Sequence, residues 1–280
     1  MTPNAIGDPT LSDTSLSDAA EAVSDTRPVL YEMDGQVAHL VMQHRPHNLL
    51  GPAMMEALVE GVRWAQVHGA RAVVLRSSLR HFCAGADVSL FGDIQDGAGP
   101  EEDLTEILRA FEESPLPIVA SVHGVCVGGG LETALACDLI FAAESAKFGC
   151  VEAALGLNPL MGGIQRITDR AGATRAKEMV LLVRRYDART LQRWNVINRV
   201  VPDEQLVDAT NVIAQELAHG PTVAHASTKR IVSVAVNEGV LAADAAMRDL
   251  QKDIWSSNDL QEGLRSMFAN GPGAARFEGN

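Results

Sequence analysis

The chain is short of the features that mark several large classes of protein. It is poor in cations: 23 Lys and Arg stand against 36 Asp and Glu, for a net charge of −13. That balance argues against non-specific binding to nucleic acid or to an anionic membrane surface, since both need a basic excess. No apolar run reaches membrane-spanning length, because His123, Glu132, Asp138 and Glu144 interrupt the longest candidate. The first residues lack the basic start and apolar stretch of a secretory signal. Cysteine is scarce as well. Cys83, Cys126, Cys137 and Cys150 form no C-x-x-C pair, and no closely spaced His pair completes a zinc pattern. All four lie in apolar or glycine-rich surroundings and read as reduced core residues. A cytoplasmic location is the expectation. Also missing are the G-x-x-x-x-G-K-[ST] and G-x-G-x-x-G nucleotide fingerprints and the G-x-S-x-G elbow of serine hydrolases.

What is present is the composition of an ordinary globular protein: 280 residues, 46% apolar and 21% charged. Residues 1–26 hold five acids and no Lys or Arg among many Ser, Thr, Asp and Pro. An acidic disordered tail is expected there, ending at about residue 27. Strand-like runs at 29–33 and 37–43 flank Asp34-Gly35, a hairpin signal. Apolar spacing at Met55, Leu58, Val62 and Ala65 predicts a helix over 52–67. A strand at 70–75, a polar linker at 92–99 and a helix from Pro100 to about 113 follow. Strands are expected at 117–122, 139–142 and 196–201, with helices near 164–170, 173–183 and 188–194. Beyond Asp203 everything reads as helix: 204–218, 221–238, 241–254 and 260–269. Strand–helix repeats followed by helices imply an α/β core over 28–202 and a C-terminal helical region over 203–270. A loose Gly- and Pro-bearing tail, 271–280, closes the chain.

The stretch 117–163 carries the chemistry. A β-rich run leads into Gly124-Val-Cys-Val-Gly128-Gly129-Gly130, and then into a short segment, 130–136, that is apolar on nearly every side. A helix apolar all round is a buried one, yet this one holds Glu132 in its first turn. An unpaired buried carboxylate is strongly unfavourable unless it is neutral or put to use. Glu152, within Phe148-Gly-Cys-Val-Glu-Ala-Ala-Leu155, sits in a similar apolar setting. Two such carboxylates beside glycine-freed backbone amides point to acid/base work on a carbonyl compound.

His81-Phe82-Cys83-Ala84-Gly85-Ala86-Asp87, the stretch from Gly124 to Glu132, Cys137-Asp138 and Gly162-Gly163-Ile164-Gln165-Arg166 occur in this order. In these motifs the chain resembles the crotonase (enoyl-CoA hydratase/isomerase) family over roughly residues 28–270. The resemblance implies a crotonase-like spiral of ββα units with C-terminal helices that drive formation of a homotrimer, or of a hexamer built as a dimer of trimers. It implies an acyl-CoA thioester as substrate, with CoA part of the substrate and no metal or redox cofactor. Backbone N–H groups of Ala86 and Gly129 would form an oxyanion hole for the thioester enolate. Glu132 and Glu152 match the two catalytic glutamates of hydratases, which add water syn across a 2,3-double bond. Ala84, Asp87 and Leu160 fall at substrate-binding positions, Asp87 more as a brace of its loop. Two other readings stay open: a double-bond isomerase that relies chiefly on Glu152, and a non-catalytic acyl-CoA-binding homologue.

The chain departs from the family pattern at three places. Ser89 stands where a Lys near the CoA adenine is common, His47 alone separates Pro46 from Asn48, and Leu160 replaces a glycine whose amide helps hold the catalytic water. The first two bear on the CoA contacts and the third on pocket size. His81 and His123 are proton carriers by type, but the family does not use them so. Arg166 and Asp138 read as structural partners. Lys229 and Arg230, on a C-terminal helix, read as solvent-facing ahead of a contact with a CoA phosphate, and Trp64, Trp194 and Trp255 as helix-packing residues.

Overall fold

The run Val37–Met42 is buried at every position, and it becomes an inner strand of a six-stranded sheet. A continuous apolar run is what a strand covered on both faces requires. The computed structural model describes residues 27–87, 90 and 103–280. Apart from Arg27, the expected acidic tail lies outside them, as do the 92–99 linker, Pro100 and Ser89.

In chain order the strands are β1 (Val29–Asp34), β2 (Val37–Met42), β3 (Ala72–Ser77), β4 (Ile118–Val122), β5 (Val125–Val127), β6 (Leu139–Ala143), β7 (Lys147–Gly149), β8 (Tyr186–Asp187) and β9 (Arg199–Val201). The helices of the core are α1 (Pro52–Val67), α2 (Glu106–Glu112), α3 (Gly129–Leu135), α4 (Gly163–Ala171), α5 (Ala173–Leu182) and α6 (Ala188–Arg193). Five more follow: α7 (Leu206–Ala218), α8 (Thr222–Glu238), α9 (Val240–Leu250), α10 (Lys252–Trp255) and α11 (Asn258–Asn270). The large sheet runs β1-β2-β3-β4-β6-β9 and the small one β5-β7-β8. In the large sheet β1 pairs antiparallel with β2, and every later pairing is parallel. After β4 the chain steps to β5 in the small sheet, turns through α3, returns to β6 and steps again to β7. This alternation is the expected spiral of ββα units, and it is followed by the helical C-terminal region.

Several boundaries differ from the sequence expectation for physical reasons. β3 begins at Ala72, since the Ala70 amide bonds back to Ala65 O of α1, and the residue just before the strand is Arg71. Its buried guanidinium donates to Gly220 O (2.6 Å), Phe277 O (2.8 Å) and Thr222 Oγ1 (2.9 Å). The expected strand 196–201 shortens to β9, since the Val196 and Ile197 amides bond back to Leu191 O. The expected helix 241–254 is split into α9 and α10 at Gln251. Strands β5, β7 and β8, none anticipated, supply the small sheet. The tail 271–280 forms no helix or strand, but its end is tied down rather than loose. Buried Asp259 accepts from Glu278 N (2.8 Å) and Gly279 N (3.0 Å), and its own amide donates to Asn280 O. Among the described residues no helix is long and apolar enough to cross a membrane.

Lys229 corrects another expectation. It leaves only 10% of its side chain in solvent, because its ammonium donates to Asp138 Oδ2 (2.8 Å), Leu116 O (3.0 Å) and Phe111 O (3.1 Å). Asp138 Oδ2 also accepts from Ile118 N at 2.7 Å. Burial raises the Asp138 carboxyl and the Lys229 charge opposes that rise, so the pair fastens α8 to the edge of the spiral beside β4. Removing one partner of a buried pair leaves the other uncompensated. Lys229→Met is therefore expected to lower unfolding free energy by about 3 kcal/mol in a urea titration. The double variant Lys229→Met/Asp138→Asn should recover much of that loss; an unchanged midpoint in the single variant would show the pair to be idle.

Candidate active site

Glycine brings two separate segments into contact here. Gly128 adopts φ 55°, in the left-handed region, and caps α3. A Cβ on Gly130 would stand 2.6 Å from Cys83 Cβ and 2.8 Å from Cys83 O, so only glycine lets the 82–87 loop press against the start of α3. That loop is laced to its surroundings by Phe82 N→His123 O, Cys83 N→Val125 O and Val127 N→Cys83 O, each at 3.1 Å. Leu50 N→Gly85 O (2.9 Å) and Asp87 N→Leu50 O (2.8 Å) hold its other side. This pattern leaves the Ala86 N–H without an acceptor among the described residues. Ala86 N lies 3.8 Å from where a Cβ of Gly129 would be. Gly129 is the first residue of α3, where amides have no intrahelical acceptor and the helix dipole is positive. Two backbone amides thus stand unused beside each other, roofed by Leu50 and Met161, whose side-chain atoms would meet that same Cβ at 2.9 and 3.2 Å.

One turn into α3, Glu132 is 2% exposed. Its Oε1 accepts from Gly163 N at 2.8 Å and from Met161 N at 2.9 Å. Gly163 opens α4, and a Cβ there would stand 2.9 Å from Glu132 Cγ, so glycine again permits the approach. Burial pushes the Glu132 carboxyl up to about 7, helped by nearby Glu152 and opposed by the Gly163 and Met161 amides and by Arg166. Glu152 starts a short 3₁₀ turn, Glu152–Leu155, ended by Gly156 at φ 76°. Both its carboxyl oxygens are buried with no hydrogen-bond partner. Burial raises this carboxyl too, against a weaker pull from the neighbouring amides of Glu152 and Val151. A Cβ on Gly128 would lie 3.3 Å from Glu152 Oε1, which puts this acid beside the start of α3. The Cys150 thiol is pushed up to about 12 by burial and by both carboxylates, so it borders the same space.

The structure therefore gathers Ala86, Gly129, Glu132 and Glu152, four residues expected from sequence. Ala84 is half-buried and donates its amide to His47 O (3.1 Å). The Asp87 side chain lies against Gly51 at the start of α1, with Oδ2 3.7 Å from a Cβ placed there, where the helix dipole favours an anion. Leu160 is 37% exposed and directly precedes Met161, whose amide holds Glu132. His123 and His81 are occupied elsewhere: His123 Nε2 meets Leu79 O at 2.7 Å, and His81 Nδ1 accepts from Val125 N. Sequence reasoning missed Leu50 as a roof over Gly129. It also missed the Met161 and Gly163 amides; the Gly162-Gly163 pair ahead of a helix was the available signal for the second. Among the described residues no three His, Cys, Asp or Glu side chains are grouped as a metal ion would need.

Known proteins share the family and the fold of this chain. The family model for enoyl-CoA hydratase/isomerase matches residues 32–273. A probable enoyl-CoA hydratase of Rhodobacter capsulatus is 31% identical over 254 residues, which is 87% of this chain and 96% of the relative. A carnitinyl-CoA dehydratase of Proteus mirabilis is 31% identical over 201 residues, 69% of this chain and 76% of that one. Among solved structures, a probable enoyl-CoA hydratase/isomerase from Mycobacterium abscessus superposes with a TM-score of 0.82 at 27% identity, covering 91% of this chain and 100% of its own.

Glu132 has a consequence for stability whose sign is fixed. Its folded-state value near 7 lies above the ordinary 4.5, so between those pH values the folded state holds more protons and stability falls as pH rises. The loss is complete above pH 7 and is on the order of 3 kcal/mol at its upper end. Glu132→Gln keeps an oxygen for both amides and removes the charge. Calorimetry should show a higher melting temperature for this variant at pH 8 and almost none of that gain near pH 4.5.

Proposed function

We propose that this chain, which belongs to the enoyl-CoA hydratase/isomerase family, is a hydratase that adds water across the 2,3-double bond of a 2-enoyl-CoA thioester. One observation carries the reading. Two buried carboxyls, one clamped by amides and one without a partner, flank the same pair of unused backbone N–H groups.

In the proposed reaction the thioester oxygen sits on the N–H groups of Ala86 and Gly129. As water attacks the β-carbon, the electron pair of the double bond moves toward that oxygen and an enolate forms. Preorganised amides stabilise charge that develops in the transition state, by about 3–4 kcal/mol each in comparable sites. Glu132, ionised, takes a proton from the attacking water. Its clamped Oε1 fixes the carboxylate plane and leaves Oε2 for that task. Glu152, the acid of the pair in this reading, gives its proton to the α-carbon, and the enolate collapses back to the thioester. Afterwards the proton on Glu132 replaces the one lost by Glu152, so the site is restored with no net change. Both acids stand on one side of the substrate, which gives syn addition. CoA enters as part of the substrate. Exposed apolar side chains on α8, α9 and α11, Val232, Leu241 and Phe268 among them, support assembly through the helical region as a trimer or a pair of trimers.

The test is loss of enoyl absorbance across short, medium, long and branched 2-enoyl-CoAs. Wild type should hydrate at least one of them far above the buffer rate, with kcat rising through about pH 7 as Glu132 ionises. Glu132→Gln and Glu152→Gln should each lower kcat by about 10²–10⁴-fold. A chain that loses activity on Glu152→Gln alone is an isomerase, and binding of every substrate without turnover would mark a non-catalytic homologue.

A further inference from the structure

The clamp on Glu132 has a second layer. Arg166, on the first turn of α4, donates to both oxygens of Glu112 on α2, Nε to Oε1 at 2.7 Å and Nη2 to Oε2 at 2.6 Å. Its third nitrogen, Nη1, donates to Gly162 O at 3.3 Å, and the Arg166 amide reaches the same oxygen at 3.2 Å. Gly162 O and Gly163 N belong to one peptide unit. The other end of that unit donates to Glu132 Oε1 at 2.8 Å. A cation on the carbonyl end of a peptide polarises it and makes its N–H a better donor, because hydrogen bonds in series strengthen one another. The approach depends on glycine: a Cβ on Gly162 would stand 2.3 Å from Arg166 Nη1, and φ there is 102°. The Arg166 side chain is 22% exposed.

We propose that Arg166 is a positioning residue that sets the Glu132 carboxylate through the single Gly162–Gly163 peptide, and that its fork to Glu112 on α2 sets where it stands. The inference rests on Glu132 serving as the base. Other ionisable groups facing Glu132 are Glu152 from the 3₁₀ turn, which opposes its ionisation, and the Cys150 thiol following β7, which stays neutral at working pH. Arg166 is the cation near Glu132 and acts in the opposite sense to Glu152. Loss of that cation moves ionisation of Glu132 to higher pH, and the limb of the pH–rate profile that depends on the ionised form moves with it.

The experiment compares wild type, Arg166→Gln and Arg166→Lys by two readouts. Steady-state kinetics across pH gives kcat and KM separately. Infrared difference spectra across pH, with the Glu132→Gln spectrum used to identify the Glu132 carboxyl band, give the Glu132 midpoint without any turnover. Arg166→Gln is expected to move that midpoint to higher pH, and to lower kcat at neutral pH by about tenfold with KM within about twofold. Arg166→Lys keeps the charge without the fork and should fall between the two. Should Arg166→Gln fail to fold, Arg166→Lys carries the comparison. An unmoved Glu132 midpoint in either folded variant overturns the proposal, even if activity falls, since Arg166 would then only brace the turn. A midpoint that moves in a chain that hydrates no enoyl-CoA upholds the coupling and removes the hydratase reading instead.

Discussion

The close approach of the 82–87 loop to the start of α3 governs the rest of this molecule. No side chain fits between Cys83 and Gly130, and that contact sets the parallel bridge of Cys83 with Cys126 and of Leu50 with Ala86. Once those bridges form, the loop amides at 82, 83 and 87 are consumed and the one at Ala86 is left over. Gly163 does the same from the far side, where its missing Cβ admits the Glu132 stem. Glycines on both flanks of one buried helix turn thus bring backbone, rather than side chains, up to the reaction space.

The electrostatics follow from that construction. Two carboxyls are taken out of water with few cations nearby, so each is raised by burial, and Glu152 raises Glu132 further. What keeps Glu132 near 7, and not higher, is a set of backbone dipoles and one guanidinium. Burial pushes both acids toward the neutral form; neighbouring amides pull each back toward its charged form, and Arg166 adds to that pull on Glu132. The arrangement opposes stability, which fits the general rule that functional sites break local design rules that the surrounding structure must offset.

Much of this was legible in the chain. Helix α1 has the ends read from its periodicity, because Pro52 can begin a helix and His68-Gly69 stops it. The motif residues Ala86, Gly129, Glu132 and Glu152 converge as expected, and the family match covers nearly the whole described chain. The small sheet was not legible: strands of two or three residues are too short to show an alternating pattern. The Lys229–Asp138 pair was hidden by a separation of 91 residues, and nothing local distinguishes that lysine from a solvated one. The clamp on Glu132 was hidden for another reason, since its donors are main-chain atoms that any residue possesses.

A main-chain donor survives most substitutions, so point mutations at 161 rarely delete the amide that holds Glu132, whereas at 163 the missing Cβ is itself required. Positions 132 and 152 are the opposite case, since a single base change replaces either acid. A lineage inheriting this scaffold would keep its holding apparatus for as long as it kept its glycines, while its acids remained free to be exchanged. New reactions on the same backbone would then arise by editing two letters of the sequence, with no need to rebuild the fold beneath them.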